Sequence, residues 1–272
     1  LISTTELAAR LNDPVLRIVD GSWHLDGRDA RADFEAGHIP GAVFFDLDAI
    51  SDHTTDLPHM LPDAATFAEA AGALGIAETD TIVVYDTVGL FSAARVWWTF
   101  RVMGAREVFV LDGGLPAWRA EGRPIETGPA RTTPTRFDPS PNPAAVADVP
   151  TVMAALTGDA QVIDARPAAR FRGEQPEPRT GLRPGHMPGA LNLPMKSVLD
   201  AAGRLKRGSD LEASFRQAGV DPDRPIVTTC GSGVTAAVLT LALAELGRDS
   251  RLYDGSWAEW GRRHDLPVAT GP

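Results

Sequence analysis

Residues 225–247 read PIVTTCGSGVTAAVLTLALAELG, and the reading of this stretch decides the fold. Pro225 to Thr229 is a short β-branched run, the signature of a buried strand. From Val234 to Leu246, Val234, Val238, Leu241, Leu243 and Leu246 recur at helical spacing among alanines, which predicts a helix packed on a sheet. Between them lies Cys230-Gly231-Ser232-Gly233-Val234-Thr235, and Cys230 is the one cysteine of the chain. Two glycines let the backbone curl around the sulfur, so that successive N–H groups turn inward toward an anion. The start of the following helix adds positive potential at the same point. Such a loop favours a thiolate nucleophile and an anionic adduct on its sulfur. A lone cysteine is ordinarily just a buried one. This one sits at a strand–loop–helix junction, where open α/β sheets place their ligands.

Working outward, the rest of the chain repeats this plan. Ser3–Leu11 predicts a capped helix, and Val15–Val19 a strand that ends at Asp20. Ala64–Leu74 and Ala93–Met103 read as helices; Val43–Asp46, Thr81–Tyr85 and Glu107–Leu111 read as strands. The second half returns the same order. Val162-Ile163-Asp164 parallels Ile18-Val19-Asp20, and Gly185-His186-Met187-Pro188-Gly189-Ala190 parallels Gly37-His38-Ile39-Pro40-Gly41-Ala42. Tyr253 to Trp260 parallels Leu111 to Trp118. Two copies of one α/β unit follow, each a mainly parallel sheet with helices on both faces. The expected boundaries are an N-terminal domain over 1–123, a Pro-rich extended linker over 124–150 and a C-terminal domain over 151–272. Aligning the strands puts Asp86 where Cys230 sits, so only the second copy can run thiolate chemistry. The first copy is then expected to be scaffold and half of the cleft.

Composition bounds the rest. The 272 residues are 43% hydrophobic and 23% charged, enough for a real core. No apolar run reaches membrane-spanning length, and the first residues lack the basic and apolar regions of a signal peptide, so a cytoplasmic protein with no membrane partner is expected. One cysteine excludes an intrachain disulfide and an all-cysteine zinc site. The histidines His24, His53, His59 and His264 show no metal spacing, and no cofactor is expected. A net charge of −10 without a basic stripe argues against nucleic acid as a partner.

The duplicated Gly-His-x-Pro-Gly-Ala motif, the Cys230–Thr235 loop and Asp254-Gly255-Ser256-Trp257 together resemble the two-domain rhodanese-like sulfurtransferases, over essentially the whole chain. The resemblance implies tandem rhodanese-like domains with Asp86 in the inactive loop. Within the family, Cys230-Gly231-Ser232-Gly233-Val234-Thr235 looks like the 3-mercaptopyruvate pattern, whereas thiosulfate-preferring members have basic residues after the cysteine. It also implies that Arg170 and Arg179 bind the donor's carboxylate and keto oxygen, as arginine does through bidentate charge-assisted contacts. Arg172 matches no role. Backbone N–H groups of Gly231, Gly233, Val234 and Thr235 would then cradle a Cys230 persulfide. A Ser-His-Asp arrangement assigned to such enzymes maps onto Ser232, His38 and Asp29, with Asp33 or Asp26 as alternative aspartates. A recurring histidine is equally read as a turn-fixing residue, because His186 occupies the same motif in the other copy. Trp118, Trp257 and Trp260 read as core. The implied donor is 3-mercaptopyruvate, with thiosulfate the alternative. The implied acceptor is a thiol such as thioredoxin, or cyanide, and a monomer suffices. A cysteine phosphatase would carry arginine six positions after the cysteine, where Ala236 stands; a non-catalytic persulfide carrier is the third reading.

Overall fold

The computed structural model describes residues 1–272. They divide into two units: Leu1–Asp52 with Leu61–Asn142 and Ala201–Arg204, and His53–Met60 with Pro143–Asp200 and Leu205–Pro272. The Pro-rich stretch after Pro124 is therefore shared. It runs with the first unit to Asn142, and from Pro143 it supplies the second unit with an edge strand and the start of a helix.

The first unit is a four-stranded sheet in the order β2-β1-β3-β4, with β1 Leu16–Asp20, β2 Ala42–Phe44, β3 Thr81–Tyr85 and β4 Glu107–Val110. Every pairing is parallel, in register Ile18↔Ala42, Ile18↔Val83 and Val83↔Phe109. All five residues of β3 are buried, as both faces of a central parallel strand require. On one face Val83 and Tyr85 join Leu7 of α1 (Thr4–Ala9), Phe34 of α2 (Ala30–Ala36) and Trp118 of α5 (Gly114–Ala120) in a single cluster. The other core gathers Phe45, Phe67 of α3 (Ala64–Ala73) and Phe100 of α4 (Ala93–Val102), with Phe67 meeting Phe100 edge-on at 5.2 Å. Phe137, from the Pro-rich stretch, closes that cluster 5.2 Å from Phe67. Burying one such ring contributes about 2–3 kcal/mol. Ser3 and Glu6 form a capping box at the start of α1, where a capped helix was expected.

The second unit has the order β5-β9-β8-β6-β7, with β5 Val146–Ala147, β6 Gln161–Asp164, β7 Leu191–Asn192, β8 Ile226–Thr229 and β9 Arg251–Tyr253. Strands β7, β6, β8 and β9 repeat the order of β2, β1, β3 and β4, again all parallel. The edge strand β5 on β9 has its counterpart in the Ile2↔Leu111 bridge beside β4. Helices α6 (Val149–Thr157) and α10 (Ser256–Trp260) bring Val152, Trp257 and Trp260 into one core. The remaining helices are α7 (Ala168–Phe171), α8 (Gly208–Gln217) and α9 (Ala236–Glu245). In α9 every residue from Ala236 to Leu243 is buried, so the helix after the cysteine loop is fixed on all sides. No helix is long and apolar enough to cross a membrane.

Candidate active site

Strand β8 ends at Thr229, α9 starts at Ala236, and the intervening loop is held from below by α10. The N–H of Trp257 donates to the Cys230 carbonyl and that of Ala258 to the Gly231 carbonyl, both at 2.9 Å. The Cys230 N–H donates to Ser256 Oγ at 3.3 Å, and Ser256 Oγ donates to the Tyr253 carbonyl. Ser256 adopts this arrangement with φ at 49°, in the left-handed region that a side chain disfavours. Gly233 takes φ 78°, as a curled loop requires. Cys230 is a free thiol, 2% exposed. The N–H groups of Gly231, Ser232, Gly233, Val234 and Thr235 donate to no acceptor within the chain. Thr235 caps the start of α9 without a side-chain bond, and Val234 is buried.

The first unit shows what such a loop accepts. Asp86, at the position of Cys230, folds its carboxylate back onto its own loop and takes N–H groups from Val88 (3.1 Å), Phe91 (2.7 Å) and Ala93 (3.0 Å). Leu115 N–H donates to the Asp86 carbonyl as Trp257 does to Cys230. One loop thus carries its own anion, while the other carries a thiol and leaves its donors unmatched. The left-handed position that Ser256 holds is glycine in the first unit, Gly114 at φ 55°.

Two guanidinium groups reach the cysteine loop. A β-carbon on Gly231 would lie 3.2 Å from Arg170 Nη2 and 4.0 Å from Arg179 Nη1, so the bare glycine makes room for both. Arg170 stands at the end of α7 and pairs with Glu177, which in turn pairs with Arg166 at 2.8 Å. Arg166 is fully buried on the Trp257 ring, 4.3 Å from its centroid, and bonded to Asp164. Burial would weaken this guanidinium as a base, but the Asp164 and Glu177 charges outweigh it and hold its pKa above the ordinary value. Arg172 faces solvent and pairs with Glu174.

The expected histidine is corrected. Ser232 is bonded to His59, a residue given no such role in the sequence reading: Ser232 Oγ and His59 Nδ1 lie 3.0 Å apart, both buried in the second unit. His38 Nδ1 is bonded to the Phe34 carbonyl at 2.8 Å and its ring stacks on Phe34 at 3.9 Å. His186 does the same with Phe171, at 2.9 and 3.9 Å. The repeated histidine therefore fixes a turn. Asp29 caps α2, accepting the N–H groups of Arg31 and Ala32. Asp33 pairs with His24 and Asp26 with Arg28, so none of the three aspartates supports His38. His59 was passed over because it belongs to no motif; its sole local signal is the apolar, proline-flanked run Pro58-His59-Met60-Leu61-Pro62. Arg166 and Glu177 were also missed, since nothing local marks them as buried. No three His, Cys, Asp or Glu side chains gather as metal ligands would.

With this geometry in place, comparison with known proteins is direct. The rhodanese-like domain profile matches residues 3–121 and again 149–263. The 3-mercaptopyruvate sulfurtransferase of Escherichia coli K12 is 48% identical over 267 residues, covering 96% of this chain and 95% of that protein. The thiosulfate sulfurtransferase of Rattus norvegicus is 40% identical over 273 residues, covering 97% and 92%. The crystal structure of the 3-mercaptopyruvate sulfotransferase SseA from Escherichia coli superposes with a TM-score of 0.87 at 44% identity, covering 94% of this chain and 98% of that one.

Proposed function

Because the chain belongs to the rhodanese-like family, with one copy of the domain in each half, we propose that it moves the sulfur of 3-mercaptopyruvate through a Cys230 persulfide to a thiol or cyanide. One observation carries the choice of donor. Arg170 and Arg179 converge over Gly231, beside a loop that has no cation of its own. Mercaptopyruvate has a carboxylate and a keto oxygen set apart from its sulfur, and paired guanidinium groups suit that separation.

The Cys230 thiolate attacks the donor sulfur, and the C3–S bond breaks with its electron pair leaving as the enolate of pyruvate. C3 then takes a proton to give pyruvate, and the sulfur remains on Cys230. Unmatched N–H groups of Gly231 to Thr235 stabilise the negative persulfide. Ser232 Oγ, bonded to His59, is the proton route nearest the loop. In the second half-reaction the acceptor attacks the outer sulfur, the S–S bond breaks, and the Cys230 thiolate returns. A reduced protein thiol such as thioredoxin, a small thiol or cyanide each satisfies that step. One chain holds one such loop, so a monomer suffices, and a free catalytic thiol suits the reducing cytoplasm.

Pyruvate release from 3-mercaptopyruvate with a thiol acceptor, beside a thiosulfate–cyanide assay and a Cys230→Ser control, tests the reading. Fast pyruvate release, slow thiosulfate turnover and an inactive control support it. The reverse preference overturns the choice of donor, and activity in Cys230→Ser overturns the nucleophile.

A further inference from the structure

Glu177 lies outside the cysteine loop, yet its side chain is only 2% exposed and each of its carboxylate oxygens takes a different arginine. Oε1 accepts from Arg166 Nη1 and Oε2 from Arg170 Nη2. Arg166 cannot move. Asp164 grips it through Nε and Nη2, the Gly185 carbonyl takes a further bond, and Trp257 lies under its plane. Arg170 is the opposite case: a long side chain at the end of a four-residue helix, with a buried Nε–H that has no partner. Its Nη2 is also the atom nearest the Gly231 β-position. A buried carboxylate thus ties the guanidinium with few other anchors to the one anchored on several sides, and aims it over the loop.

We infer that Glu177 is a positioning residue for the sulfur donor: it transmits the rigidity of the Asp164–Arg166–Trp257 cluster to Arg170, so that Arg170 meets the donor carboxylate already oriented. This rests on the donor reading above. An arginine that must be ordered at binding pays side-chain entropy that a preoriented one does not. The carboxylate is held alike before and during C–S cleavage, so the benefit falls on KM rather than on kcat.

The experiment is a double-mutant cycle with Glu177→Gln and Arg170→Ala, read as kcat and KM for 3-mercaptopyruvate together with the thermal midpoint. Glu177→Gln is expected to raise KM about tenfold, the immobilisation term of one long side chain, with kcat within about threefold of the parent. In the Arg170→Ala background the same substitution adds less than about twofold, because the group it orients is gone. Should Glu177→Gln fail to fold, Glu177→Asp, too short to span both arginines, takes its place in the same cycle. Independent KM effects of the two sites, or kcat falling in step with the thermal midpoint, overturn the inference. A raised KM in Arg170→Ala alone, with Glu177 variants normal, also overturns it while leaving the donor reading intact. An unchanged KM in Arg170→Ala overturns the donor reading and the inference with it.

Discussion

Replacing Asp86 by alanine tests whether the strand–loop–helix junction of this fold is an anion cradle, in the unit where no thiol chemistry intervenes. The carboxylate accepts three loop N–H groups, of which Val88 is at the surface and Ala93 is buried. A hydrogen bond to a charged acceptor is worth about 1.5–3 kcal/mol, and a donor left unsatisfied in the interior costs a similar amount. Counting only the bonds to Phe91 and Ala93 gives a loss of about 4 kcal/mol, slightly reduced because Asp86 repels Asp20. At about 3 °C per kcal/mol, the thermal transition of the first unit is expected to fall by about 12 °C. Small anions then do what the side chain did. Formate or sulfate at ten times its dissociation constant returns about 1.4 kcal/mol, or about 4 °C. Differential scanning calorimetry of Asp86→Ala and the parent, with and without added anion at constant ionic strength, reads both effects. A loss below about 1 kcal/mol, or equal anion responses in the two proteins, refutes the cradle argument.

Three further outcomes follow from the same geometry. Ser256→Gly removes a left-handed strain of about 1 kcal/mol along with a hydrogen bond of similar worth, so calorimetry is expected to show an almost unchanged midpoint. Its kcat/KM nevertheless falls about tenfold because the Cys230 N–H loses its acceptor, and Ser256→Ala, which keeps the strain, is also less stable. His59→Ala lowers kcat about a hundredfold, at the low end of acid–base contributions, whereas His38→Ala lowers the thermal midpoint and leaves kcat/KM within about threefold. Burial raises the Asp20 carboxyl to about 6, against the hydrogen bond from the Ser22 N–H. Its folded-state pKa is above the unfolded one, so its stabilising contribution is full below about pH 4 and is lost as pH rises through 6, by about 3 kcal/mol in total. Urea titrations of Asp20→Asn are therefore expected to show a gain over the parent at pH 7.5 that disappears at pH 4.

The duplication was legible because the motif that repeats does the same structural work twice. His38 and His186 each stack on a phenylalanine at 3.9 Å and bond its carbonyl, and each bridges an antiparallel neighbour, Glu126 or Ala269. The proton-transfer role expected for His38 came from the family resemblance, whereas the repetition pointed to the turn-fixing role. The histidine at Ser232 lies 173 positions away from it in sequence, on a segment interrupting the first half, and no periodicity or spacing marks such a contact. The loop itself was readable, since the glycines and the helix start are local features. Strand β5 was not, because two residues in a Pro-rich run become a strand only through pairing with β9. Glu174 and Glu177 look alike in sequence, three residues apart in one arginine-rich loop. Glu174 pairs with Arg172 at the surface, while Glu177 is buried by Arg166, whose own burial depends on Asp164 and Trp257.

The most direct measurement is a single turnover without acceptor: the chain mixed with 3-mercaptopyruvate alone, then followed by intact-mass and peptide spectrometry beside a pyruvate assay. One added sulfur located on Cys230, with an equal amount of pyruvate released and both absent in Cys230→Ser, is the predicted result. Pyruvate formed without sulfur on Cys230, or sulfur carried elsewhere on the chain, contradicts the account.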